Sequence, residues 1–138
     1  MESTRQRIAL CWFGYILITF ILGFMWHLVL FAKVYQELGV YSNLDHPNFA
    51  LGILSMVIQG GVLALLFPQF LRGSNPLHEA MRFSLTMGLF FGSGSVIAEV
   101  AKQSTTSLSM WFLVAGGFTV IHFTLIGLLF GLVYSQRH

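Results

Sequence analysis

The chain has 138 residues, of which 56% are hydrophobic and only 9% charged, with a formal net charge of +2. A soluble domain carries roughly 25% charged residues, and the mean hydropathy of +0.77 points away from a water-soluble fold. No separate soluble domain fits, and the few cations read as membrane-topology signals rather than as a nucleic-acid-binding surface.

Four apolar segments run near 8–32, 49–71, 83–102 and 110–134. Each approaches the roughly 20 residues needed to cross a bilayer. The pattern predicts an all-α, integral membrane four-transmembrane-helix bundle forming one domain over 1–138, with helices near 8–32, 49–71, 76–103 and 110–134. The first segment follows Arg5 and Arg7 but is about twice as long as a signal-peptide apolar region and lacks a small-x-small cleavage site, so it is predicted to be retained. Cys11 is the single cysteine, which excludes an internal disulfide. It reads as a small apolar residue near a helix start.

After the first helix, YQELGVYSNLDHPN is the longest polar connection, and Asp45, His46, Pro47 and Asn48 read as a turn entering the second helix. A metal held by Asp45 and His46 would need a third ligand that the loop does not offer. In the second connection, Ser74 and Asn75 precede Pro76, a helix-start signal that lets the third helix begin outside the bilayer. His78, Glu79 and Arg82 then fall in the headgroup region as a solvated face.

With four spans, Arg5, Arg7, Arg72, Arg82 and Arg137 share one side, and Lys33 and Lys102 the other. The excess predicts a multi-pass cell-membrane protein with cytoplasmic N- and C-termini. Trp26 and Trp111 near the outer boundary, and Trp12 and Tyr134 near the inner one, fit interface anchors.

Each apolar segment carries one thin stripe of small and polar residues at helical spacing. The stripes are Tyr15, Thr19, Gly23 and His27; Gly52, Ser55 and Gln59; Gly88, Gly92, Ser95 and Glu99; and Ala115, Thr119 and His122. Lipid rejects such faces, so they are predicted to point at one another. Gly88-x-x-x-Gly92 and Gly127-x-x-x-Gly131 read as close-packing surfaces, and Gln59 as an interhelical hydrogen-bond partner. Intramembrane ionisable groups are costlier, roughly 2.5–3.5 kcal/mol for a carboxylate at a helix centre. Glu99 lies about one turn from the outer helix end and reads either as a snorkelled pair with Lys102 or as a cavity-facing carboxylate. His27 belongs to the outer half and His122 to the middle. Their depths differ by roughly 8–10 Å at 1.5 Å per residue, which disfavours one haem ligated by both and favours a polar track or two separate sites.

A weak repeat relates 57–67, VIQGGVLALLF, to 120–130, VIHFTLIGLLF, with five identities in eleven positions, so that Gln59 corresponds to His122. GFMWHLVLFAK at 23–33 can likewise be laid on GSGSVIAEVAK at 92–102. A duplication would make the bundle two parallel two-helix repeats. No phosphate loop, Ser-His-Asp set or Cys-His zinc spacing is present, and no nucleophile–base pair supports an enzyme.

Gly23, Trp26, Leu30, Phe31, Lys33, Tyr35 and Gly39, followed by Asn48-Phe49-Ala50, resemble the opening motif of a family of small four-helix bacterial membrane proteins of unknown function. That family has tyrosine where this chain has His27. The resemblance covers mainly the first 70 residues and implies a bacterial inner-membrane four-helix protein without implying an activity.

These observations give two expectations. The first is a bundle that binds or translocates a small solute or a proton along its inward polar face. His27, Glu99 and Trp26 would serve in the outer half, and His122 and Gln59 nearer the midplane. The second is a non-catalytic subunit of a larger membrane complex, or a homo-oligomer, holding haem, chlorophyll or quinone. Fourteen phenylalanines suit packing against rings or neighbouring helices. The lipid bilayer is the partner common to both; nucleic acid belongs to neither.

Overall fold

The computed structural model describes residues 3–41, 44–73 and 75–136, and helix is the only regular structure among them. Helix α1, Thr4–Gly23, runs without a break into a π-helical stretch, Phe24–Leu30, and a short α2, Ala32–Leu38, follows. Helix α3 spans Phe49–Phe70. Helix α4, Pro76–Gly92, continues as a π-helical stretch, Ser93–Ala98. The last rod consists of α5, Leu108–Trp111, a π-helical turn, Phe112–Gly116, and α6, Gly117–Ser135.

Three helical stretches are long and apolar enough to cross a membrane: Thr4–Leu30, Phe49–Phe70 and Leu108–Ser135. The shortest has 22 residues and covers about 33 Å at 1.5 Å per residue, enough for a hydrocarbon core of about 30 Å. The rod made by α4 and its extension is more polar, with Glu79 and Arg82 in its first turns, and is not among the three.

Local chemistry sets the helix starts. Ser3 and Gln6 form a reciprocal capping box at α1. Asn48 accepts a hydrogen bond from the Leu51 amide at the start of α3, and Asn75 one from the His78 amide at the start of α4, with Pro76 at its first position. The turn expected at 45–48 and the start expected at Pro76 are both found; Ser74 lies outside the described residues. Gly39 ends α2 with φ of 72°, a left-handed conformation that favours glycine.

Helix α6 is the central strut and packs against both α1 and α4, while α1 also packs on α3. Glycines set the closest approaches. A methyl group at Gly131 would lie 2.8 Å from the Leu77 Cα, and one at Gly127 would lie 3.2 Å from the Met81 Cα, so α6 rests almost on the α4 backbone. On the other pair, Gly60 admits the Tyr15 ring, and the Trp12 indole donates to the Val57 carbonyl at 2.8 Å. These approaches enclose a core of Cys11, Tyr15, Ala64, Phe67, Phe83, Ile126 and Phe130. A second core, built on Tyr35, Leu38, Val40, Trp111 and Val114, lies towards the other end. The outward faces carry Phe13, Leu89 and Phe90, each more than two-thirds exposed, as lipid-facing positions would be.

The topology gathers Arg5, Arg7, Arg72 and Arg82 at one end and Lys33 and Lys102 at the other. Arg137 lies outside the described residues.

Two expectations are corrected. Trp111 is wholly buried and Tyr134 is 7% exposed, so neither is an interfacial belt residue: the Trp111 indole donates to the Val96 carbonyl at 2.9 Å, and the Tyr134 ring packs edge-on to Phe67. On α3 the packed face is Gly60, Gly61, Leu63, Ala64 and Phe67. Ser55 is exposed and returns its hydroxyl to the Gly52 carbonyl.

Candidate functional site: two histidines on either side of one ring

The three π-helical stretches meet around the second core, tied by tryptophan. A π turn leaves the regular i→i+4 pattern and frees carbonyls to accept elsewhere. Trp26, in the first stretch, donates to Val114 in the third at 3.1 Å. Trp111, just before the third, donates to Val96 in the second. The result is a fixed aromatic box. His27 lies in it with its ring 4.9 Å from Tyr35, 4.5 Å from Phe118 and 6.2 Å from Tyr41 between centroids. Trp26 packs at a tilt against Phe31 and Phe118.

His27 also lines a cavity of about 560 Å³ bounded by α1, the connection after α2 and the start of α3. Its wall is mainly apolar, including Phe20, Phe24, Leu44 and Phe49, with His27, Tyr41, Asn48 and Gln103 as polar groups. That composition matches small-molecule sites, where a few polar groups orient a mostly apolar ligand. His27 Nδ1 is buried without a hydrogen-bond partner among the described residues, an arrangement that costs free energy until something pairs with it. Burial, with the Glu99 charge behind it, pushes the Tyr41 hydroxyl above its usual range, so Tyr41 faces the cavity as a neutral donor.

Glu99 lies beside this site. One carboxylate oxygen meets Lys102 Nζ at 3.1 Å and the other accepts from Gln103 Nε2. Gln103, not Glu99, lines the cavity wall, so the carboxylate is joined to the cavity only through its hydrogen-bonded neighbour.

His122 occupies a different environment. It is 3% exposed, and its Nε2 shares a hydrogen bond of 2.7 Å with Thr19 Oγ1. The Tyr15 ring lies 5.5 Å from the imidazole, and the Tyr15 hydroxyl donates to Gln59 Oε1 at 2.9 Å. Tyr15 and Thr19 of the α1 stripe, Gln59 of the α3 stripe and His122 of the α6 stripe therefore meet, with Tyr15 joining Gln59 to His122. Phe118 stands between the two histidines, tilted against His27 and nearly parallel to His122 at 5.5 Å.

Nothing in the sequence marks Tyr41, Asn48, Gln103 or Phe118 as site residues. Three sit in or beside connections whose path back over α1 is a long-range matter. For Phe118, one of fourteen phenylalanines, only its position four residues before His122 could have drawn notice. Among the described residues no group of three His, Cys, Asp or Glu side chains is placed to hold a metal ion. No family model, curated protein or solved structure matches the chain.

Proposed function

We propose that this chain is a four-span membrane protein, with both termini cytoplasmic, that binds a small amphipathic solute in the outer cavity beside His27. The observation carrying this reading is the cavity of about 560 Å³ walled by phenylalanines and lined by His27, whose buried Nδ1 has no hydrogen-bond partner among the described residues. A solute with an apolar body and one polar group would fill the first and satisfy the second. The positive-inside rule supports the orientation, because the described arginines lie at the end opposite Lys33 and Lys102. As fourth span we assign the α4 rod, which runs beside α6. An internal duplication is supported by the two π stretches at Phe24 and Ser93, each one residue after a glycine that the repeat equates, Gly23 and Gly92.

In this reading the solute stays in the outer half. The Phe118 ring packs against both His27 and His122, so in this reading passage from the cavity to the Thr19–His122 pair needs that ring to move. A short-chain ubiquinone analogue is a suitable probe, followed by quenching of tryptophan emission from the purified protein in nanodiscs. Saturable quenching is expected, weakened at least tenfold in His27→Ala and less in Tyr41→Phe. Unchanged affinity in His27→Ala would sink the site. Translocation is tested separately in proteoliposomes by solute or proton flux. If His27→Ala, Glu99→Gln and His122→Ala leave flux and binding unchanged, the polar face has no transport role.

A further inference from the structure

At the arginine-bearing end, opposite His27, the connection between α3 and α4 leaves a second cavity of about 430 Å³. Arg72, Glu79 and Arg82 line its charged part, and Phe70, Phe83 and Met87 its apolar part. Neither arginine makes an ion pair with a carboxylate among the described residues, Glu79 in the same wall included. Two arginines thus line one concavity with a single carboxylate, Glu79, that pairs with neither of them. We propose that this cavity binds the phosphodiester headgroup of an anionic phospholipid from the leaflet on that side, with its upper acyl chains on Phe70, Phe83 and Met87.

Three observations select a lipid over a free anion. Phe70 is the last residue of α3, one of the stretches long and apolar enough to cross a membrane, which puts the cavity at the depth where headgroups would meet acyl chains. Its charged and apolar walls adjoin, as the two parts of a lipid do. Glu79 leaves the charged wall with a net charge of one positive unit, suited to the single negative charge of a phosphodiester and poorly suited to dianionic phosphate. Guanidinium forks bind phosphate oxygens in pairs, which a lysine ammonium does not reproduce. The site is separate from the outer cavity, and neither reading depends on the other.

Native mass spectrometry of the full chain tests this, after exchange into mixed micelles holding equal phosphatidylglycerol and phosphatidylcholine. The wild type is expected to retain phosphatidylglycerol preferentially. Arg72→Gln and Arg82→Gln should each lower that retention about fivefold, the factor expected for one cation near an anionic lipid. Arg82→Lys keeps the charge and is expected to lose part of the effect. Arg5→Gln, at the same end outside the cavity, should lose nothing; a loss equal to that of Arg82→Gln would mean diffuse attraction and overturn the site. Equal retention of the two lipids, or displacement of phosphatidylglycerol by millimolar inorganic phosphate, would also overturn it. Thermal melts by circular dichroism identify a variant that fails to fold, and Arg82→Lys then decides with Arg72→Gln.

Discussion

His27 and His122 are separated by one phenyl ring. Phe118 lies 4.5 Å from the first imidazole and 5.5 Å from the second, centroid to centroid. A phenyl group neither donates nor accepts a proton, so the arrangement interrupts the polar track that the depths of the histidines suggested. It leaves a cavity-lining histidine on one side and, on the other, a buried histidine bonded to Thr19 through Nε2, its Nδ1 without a partner among the described residues.

Removing that ring should join the two environments. Phe118→Ala is expected to expose His122, now 3% accessible, to diethylpyrocarbonate. Peptide mapping by mass spectrometry should show His122 modified several-fold faster than in the wild type, with His27 little changed. Equal rates at His122 would show that Phe118 is not the barrier.

The Thr19–His122 hydrogen bond should appear as a coupling energy. A double-mutant cycle with Thr19→Val and His122→Leu, read by unfolding in sodium dodecyl sulfate, is expected to give about 0.6–2 kcal/mol. A coupling near zero would mean that each group finds another partner once the bundle opens.

Trp111→Phe keeps a ring in the second core but leaves the Val96 carbonyl without its indole donor. A buried acceptor stripped of its partner costs about 1–3 kcal/mol, and the smaller ring adds a packing loss. Trp12→Phe removes the comparable bond to Val57 from a residue that is 40% exposed and should cost less. The same unfolding assay ranks the two; the reverse order would deny the π-helical junction its structural weight.

Glycine substitutions separate contact from open space. Gly131→Ala would place a methyl 2.8 Å from the Leu77 Cα, so α6 and α4 must part, at about 1–3 kcal/mol. Gly52 has nothing within 4 Å of the corresponding position, and Gly52→Ala should be neutral or stabilising by about 0.5–1 kcal/mol. Thermal midpoints in detergent measure both.

The sequence by itself determined what depends on local composition and short-range geometry. Hydropathy alone located the long apolar stretches, and the Asn48 and Asn75-Pro76 signals located helix starts, because a cap bonds within three residues of itself. Spacing of four brought Tyr15 and Thr19 to the face that meets His122, since α1 is regular that far. Beyond Gly23 the helix is π-helical, and a π turn holds more residues than an α turn, so a spacing of four no longer fixes the face. His27 there packs on Phe118 of α6 and also meets Tyr35 and lines the outer cavity. Only the tertiary structure decided this, because the π stretches are tied by tryptophan donors from other rods, Trp26 to Val114 and Trp111 to Val96. The cavity wall is equally non-local, with Tyr41, Asn48 and Gln103 brought to His27 from two separate connections.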